Sequence, residues 1–195
     1  MKRHQLGFSL VELMVAIVIS SLLILGVTEI FSRSFFADRD NTELTYMQES
    51  GRLALELIGQ DARRAGFQGC TASNNENSVS SEVTLPGGAV SWTDNNLTFV
   101  YFEPNDRADV CGAGNWKTVT YTSSASGISR TENGATQPIL NNARFARAPE
   151  FLPSGQASSA TSLTVYITVN DQRQAGELLN ARAFNATFEL RNRLQ

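Results

Sequence analysis

Glu12 is the first residue in this chain that asks for a chemical explanation. It is the only charged residue between His4 and Glu29, and it sits inside the apolar run FSLVELMVAIVISSLLILGV from Phe8 to Val27. A carboxylate near the centre of a membrane helix costs about 2.5–3.5 kcal/mol on insertion scales, and less near an end. One reading is an end-of-helix carboxylate that reaches toward headgroup water. The other is a charge that finds its partner only in an assembly.

The remaining chemistry-bearing residues are sparse. His4 is the only histidine, and Lys2 and Lys117 are the only lysines. A chain that loses His4 loses the commonest general base and the commonest metal ligand, which argues against an enzyme. Cys70 and Cys111 are the only cysteines. Outside the cytoplasm a disulfide is their natural state, closing a loop of about 40 residues worth nominally 3–4 kcal/mol in the chain-entropy model. A redox pair or a two-thiolate metal site would need helper residues that the sequence lacks. Glu103, Asp106 and Asp109 in EPNDRAD offer oxygen ligands of the kind calcium accepts. Their spacing is not that of an EF-hand loop, so a solvated loop is the favoured reading, and no metal or cofactor is expected. Trp92, Trp116, Tyr101 and Tyr121 could stack on bases, but only Lys117 and Arg107 are interleaved with them, which favours core or sheet packing. The formal charge of −3 gives no electrostatic reason to expect nucleic acid as a partner.

The elements that must position these residues follow from periodicity. About 20 apolar residues are what a helix needs to cross a hydrocarbon core. Lys2 and Arg3 precede the run, so the positive-inside rule puts the start in the cytoplasm and the bulk outside. No small-residue A-x-A site follows, as a discarded secretory signal would require. No proline occurs before Pro86, so one continuous helix can extend from about Ser9 to Ala65. Leu53, Ala54, Leu57, Ile58, Ala62 and Ala65 recur at helical spacing in its second half, and Gly66 suits its stop. Gly26, Gly51 and Gly59 read as weak points within it, and Arg63-Arg64 as a solvated helix-end pair facing the negative end of the dipole. Thr71 to Glu82 reads as a loop. Leu97–Phe102 is apolar on both faces and reads as a buried strand, while Thr118–Thr122, Leu163–Asn170 and Phe184–Arg191 alternate. Weaker strands are expected near Val83–Leu85, Ile128–Arg130 and Ala143–Ala148. The fold class is therefore α+β, with a long N-terminal helix and a C-terminal antiparallel sheet, wet on one side and packed on the helix on the other.

At Gly7-Phe8-Ser9-Leu10-Val11-Glu12 the chain resembles the prepilin-peptidase site of type IV pilins and type II secretion pseudopilins. The resemblance rests on four coincident features: the basic leader, the glycine, the phenylalanine, and a lone glutamate in a membrane-length run. It implies cleavage between Gly7 and Phe8 by prepilin peptidase, N-methylation of Phe8, and pairing of Glu12 with a neighbouring subunit's N-terminal amine. Removal of residues 1–7 would leave 14 basic against 19 acidic residues, a formal −5. The implied organisation is a leader at 1–7, a membrane and filament-core half-helix at 8–28, an amphipathic half-helix at 29–66 and a β-rich periplasmic head at 67–195.

A finer resemblance covers the first 70 residues or so and the last dozen. Gly51-Arg52-Leu53-Ala54, Gln60-Asp61-Ala62-Arg63-Arg64-Ala65-Gly66-Phe67, Gly69-Cys70 and the terminal FELRNRLQ are similar to the PilW family of minor pilins. That resemblance implies a low-abundance, non-enzymatic subunit that primes type IV pilus assembly with other minor pilins near the filament tip. Its implied partners are the minor and major pilins, prepilin peptidase and the inner-membrane assembly platform. It would sit in the bacterial inner membrane as a single-pass protein and then in the filament, with twitching motility as a downstream output. The competing readings are a J-type minor pseudopilin of a secretion or competence pseudopilus, and a tip adhesin that grips DNA or another ligand.

Overall fold

The computed structural model describes residues 9–68, 88–105, 113–153, 157, 160–172 and 180–190. The cysteine pair Cys70 and Cys111, the strand expected at Val83–Leu85, and Gly7 and Phe8 lie outside these residues. One helix, α1, runs Leu10–Arg64, and nine strands follow: β1 Val90–Thr93, β2 Asn96–Pro104, β3 Gly114–Ser123, β4 Gly127–Glu132, β5 Ala135–Asn141, β6 Ala143–Phe145, β7 Glu150–Leu152, β8 Ser162–Val169 and β9 Arg182–Glu189. The architecture is α+β, with the helix first and an antiparallel β region after it. The chain divides into two compact units, Met1–Leu44 and Thr45–Gln195.

In the first unit the described chain is helix with no core of its own. Every residue from Ser9 to Arg39 is exposed.

In the second unit the end of α1 carries a helical stripe. Met47, Gly51, Ala54, Leu55, Ile58, Gly59 and Ala62 are buried at spacings of three and four, so they share one face. Leu53, expected on that face, is 64% exposed, and Leu55 takes the inward place. The helix stops where Gly66 adopts φ of 80°, a left-handed conformation that glycine reaches without steric cost. The chain then joins the sheet: Gly66 N–H donates to the Val100 carbonyl at 2.8 Å, and Phe102 N–H to the Phe67 carbonyl at 2.7 Å.

The β region forms two antiparallel sheets where one was expected. The first is a meander, β1-β2-β3-β4-β5. Two of its hairpins close through two-residue turns with both φ values positive: Asp94-Asn95 (48° and 65°) and Asn133-Gly134 (52° and 82°). Such turns match the twist of the flanking strands. In the second sheet β8 is central, with β9 along one edge and β6 and β7 on the other. The alternation along β8 is clean: Leu163, Val165, Ile167 and Val169 are all fully buried.

The glycines within the helix have a packing reason. A Cβ at Gly51 would lie 2.7 Å from the Phe184 ring, and one at Gly59 would overlap the Phe188 ring. Both rings belong to β9, so the two glycines are where the helix lets that strand approach. Among the described residues, Gly26 has no atom within 4 Å of its would-be Cβ.

Candidate functional site: the N-terminal assembly segment

The helix opens with Leu13 N–H donating to the Ser9 carbonyl at 3.2 Å, which places Glu12 in the first turn. There the positive end of the helix dipole favours a carboxylate. Glu12 is exposed, and no hydrogen bond or ion pair to it occurs among the described residues. Around it Leu10, Val11, Leu13, Met14, Val15 and Ile17 are each at least half exposed. Hence one acidic group stands in an otherwise apolar cylinder that no described residue of its own unit covers.

One hydroxyl in the run and one just after it bond back to their own helix. Ser21 donates to the Val18 carbonyl at 2.8 Å, and Thr28 donates to the carbonyls of Ile24 at 2.8 Å and Leu25 at 2.9 Å. Hydroxyls that bond back to the preceding turn need no partner in hydrocarbon. Beyond Thr28 the first ion pair appears, Glu29–Arg33 at 2.7 Å, an exposed i,i+4 pair. By length and composition the helix is apolar enough to cross a membrane.

The other candidate residues resolve differently. Tyr101 and Tyr121 are buried, Trp92 packs edge-on against Phe145, and Trp116 edge-on against Phe102. These four aromatics pack within the head, and the two tyrosines are closed to any stacking base. Glu103 pairs with Lys117 at 3.1 Å and with Arg64 at 3.7 Å, while Asp106 and Asp109 lie outside the described residues. Among the described residues no cluster of three acidic, histidine or cysteine side chains could hold a metal ion. Arg64 is more than a solvated helix-end charge, because its guanidinium lies 4.1 Å from the centre of the Tyr101 ring.

Sequence reasoning missed the most polar part of the interior. Asp61, on the helix, is 3% exposed. Its carboxylate accepts the Tyr121 hydroxyl at 2.5 Å, and Arg130 Nε and Nη2 at 2.9 and 3.3 Å. Arg130 also reaches Glu132 at 2.6 Å. The hydrogen bond to Asp61 holds the Arg130 guanidinium charged, and the bond from Arg130 pulls the Glu132 carboxyl below its usual range. Burial, reinforced by Asp61, pushes the Tyr121 hydroxyl well above its ordinary value, and burial pushes Tyr101 up to about 12. This network ties the helix to β3 and β4.

A long N-terminal helix followed by an antiparallel β region is a type IV pilin-like architecture. Comparison with family models agrees at the N-terminus, where the prokaryotic N-terminal methylation motif matches residues 2–28. No curated protein matches the chain. The motif spans Gly7, Phe8 and Glu12, and with the fold it supports a type IV pilin-family protein, either pilin or pseudopilin. It implies processing by prepilin peptidase and fits membrane anchoring followed by incorporation into a pilus. Such a family and fold are structural rather than catalytic.

Proposed function

We propose that this chain is a minor pilin of the PilW type, which primes type IV pilus assembly with other minor pilins near the filament tip. The observation that carries a filament role is the exposed apolar helix with its lone Glu12. The described second unit has a core of its own, and the exposed apolar first half of the helix needs cover from lipid or other subunits. Cleavage between Gly7 and Phe8, methylation at Phe8, and pairing of Glu12 with a neighbour's terminal amine belong to this reading. So do an N-terminus in the cytoplasm, a periplasmic head, and contact with the assembly platform. The minor-pilin assignment is supported by the sequence resemblance around Gly51–Cys70 and at the C-terminus.

A Cys70–Cys111 disulfide is part of the proposal. Phe67 is hydrogen-bonded alongside Phe102, and Asn105 N–H donates to the Ala113 carbonyl at 2.8 Å. The described residues that flank the two cysteines in sequence, Phe67 on one side and Asn105 and Ala113 on the other, thus lie at the same end of the first sheet.

The test is surface pilin recovered by shearing from a deletion strain with pilus retraction intact. A sharp loss, restored by the gene in trans, supports the minor pilin. Unchanged pili with lost enzyme secretion would replace it with the J-type pseudopilin. Normal processing of a chain with a bulky residue in place of Gly7 would sink the peptidase assignment.

A further inference from the structure

Between the apolar run and the polar stretch that begins at Asp38 lie four large apolar residues: Ile30, Phe31, Phe35 and Phe36. They are 72, 71, 53 and 58% exposed, so nothing within the described chain covers them. Their directions decide what kind of cover fits. Successive helical residues are about 100° apart, so relative to Ile30 the three rings point at about 100°, 140° and 240°. That is a girdle around the whole helix. A partner's groove would need a stripe down one side, as the second unit's own contact with α1 shows at Met47, Ala54, Ile58 and Ala62. A lipid surface meets a helix from every side.

We infer that Ile30, Phe31, Phe35 and Phe36 form an interfacial anchor, seated at the lipid headgroup boundary on the head side of the bilayer, that fixes the depth of the membrane helix before assembly. This rests on the proposed membrane-spanning state and adds to it a register. Glu12 and Glu29 are 17 residues apart, about 26 Å at 1.5 Å per residue, against a hydrocarbon core of about 30 Å. Placed symmetrically, the two carboxylates sit about 2 Å inside either face of the core, where each can reach interfacial water. Glu29 does so already paired with Arg33. The girdle then begins at the far boundary and ends about 8 Å beyond it, within the headgroup layer. Amphipathic neighbours suit that layer: the Arg39 guanidinium lies 6.0 Å from the Phe35 ring, and the Phe35 and Phe36 rings meet edge-on at 6.2 Å. Centring the span on Phe8–Val27 instead would push Glu12 about 4–5 Å deeper, three residues of helical rise. The girdle thus holds Glu12 near water until a neighbouring subunit offers it a charge.

The test places a nitroxide side chain, by nonsense suppression, at Leu13, Ile19, Phe31, Phe36 or Glu49 of the full-length chain. The protein is reconstituted alone in vesicles of phosphatidylethanolamine and phosphatidylglycerol. Depth is read from relaxation by oxygen relative to a water-soluble nickel chelate. The expected order is a high ratio at Ile19, a low one at Glu49, and ratios matching a headgroup-labelled lipid at Phe31 and Phe36. In an F31S/F35S/F36S background the Leu13 label should move about 4–5 Å deeper, the same three residues of rise. Phe31 and Phe36 as wet as Glu49, or a Leu13 depth that ignores the triple substitution, overturns the anchor. Phe31 and Phe36 screened from both relaxants would also overturn it, since that pattern means protein cover. A water-accessible Ile19 would instead defeat the membrane-spanning reading itself, an outcome distinct from the other three.

Discussion

Asp61→Ala should be among the most damaging single substitutions in the polar network of the second unit. Asp61 and Arg130 keep 4 and 15% side-chain exposure, so the pair is nearly dry. Removing the carboxylate deletes two bonds to Arg130 and the acceptor of the Tyr121 hydroxyl, which is itself fully buried. Breaking a buried ion pair from one side costs about 3–5 kcal/mol, because a charge is left stranded. Arg130 is only half stranded, since Glu132 still holds it at 2.6 Å. That places the expected loss near the lower end, about 3 kcal/mol, or about 6–12 °C in Tm for a domain of this size. Arg130→Ala leaves Asp61, among the described residues, only the Tyr121 hydroxyl and should cost as much or more. Urea unfolding of Thr45–Gln195, which contains every residue of the network and of the core, measures both variants and the double. A structural lock between Asp61 and Arg130 requires a coupling energy of at least about 2 kcal/mol. A coupling below about 0.5 kcal/mol is what an exposed pair gives and would refute a structural lock at this position.

Stability should also fall at both pH extremes. The Glu132 carboxyl lies below its ordinary 4.5 in the folded chain, held there chiefly by the Arg130 hydrogen bond. Its contribution is complete above that ordinary value and is lost as pH drops through the folded one, so Glu132→Gln should flatten the acid limb of a Tm–pH curve. Burial raises Tyr101 from 10.0 to about 12, so its contribution is present below pH 10 and disappears as pH climbs toward 12. Tyr101→Phe should blunt that alkaline loss. Gly59→Ala gains up to about 1 kcal/mol of helix propensity but forces a methyl into the Phe188 ring, with overpacking costs of about 1–3 kcal/mol. Equilibrium unfolding should show a net loss, smaller in a Gly59→Ala/Phe188→Leu double variant. Cys70→Ser should lower stability by about 3–4 kcal/mol under oxidising conditions and change nothing under reduction, if the bridge to Cys111 forms. Equal unfolding curves with and without reductant in the wild type would remove the bridge.

The parts of this fold that were legible in the sequence are those where one segment settles its own conformation. The absence of proline to residue 86 and the long apolar run announced the helix. Strict alternation announced β8, because a strand with one buried face writes its pattern along itself. Strand β5 was missed for the complementary reason: Ala135 to Pro138 are all exposed, and Pro138 argues against a central strand. It is in fact an edge strand, where proline loses no ladder bond. The signal that could have found it is Asn133-Gly134, the two-residue hairpin turn that joins it to β4.

What stayed hidden depends on partners distant in sequence. Asp61 and Arg130 are 69 residues apart and carry no local mark. On a helix ending in Gln60-Asp61-Ala62-Arg63-Arg64, an aspartate reads as one more surface charge. Gly51 and Gly59 mislead for the same reason: as propensity they weaken the helix, while in the fold they make room for Phe184 and Phe188. The two halves of the helix differ in this respect. The second half is explained by residues of its own chain, once the sheets are in place. In the first half, among the described residues, Glu12 has no partner and the girdle at Ile30–Phe36 has no cover, and that is the physical ground for proposing lipid and then other subunits as what completes it.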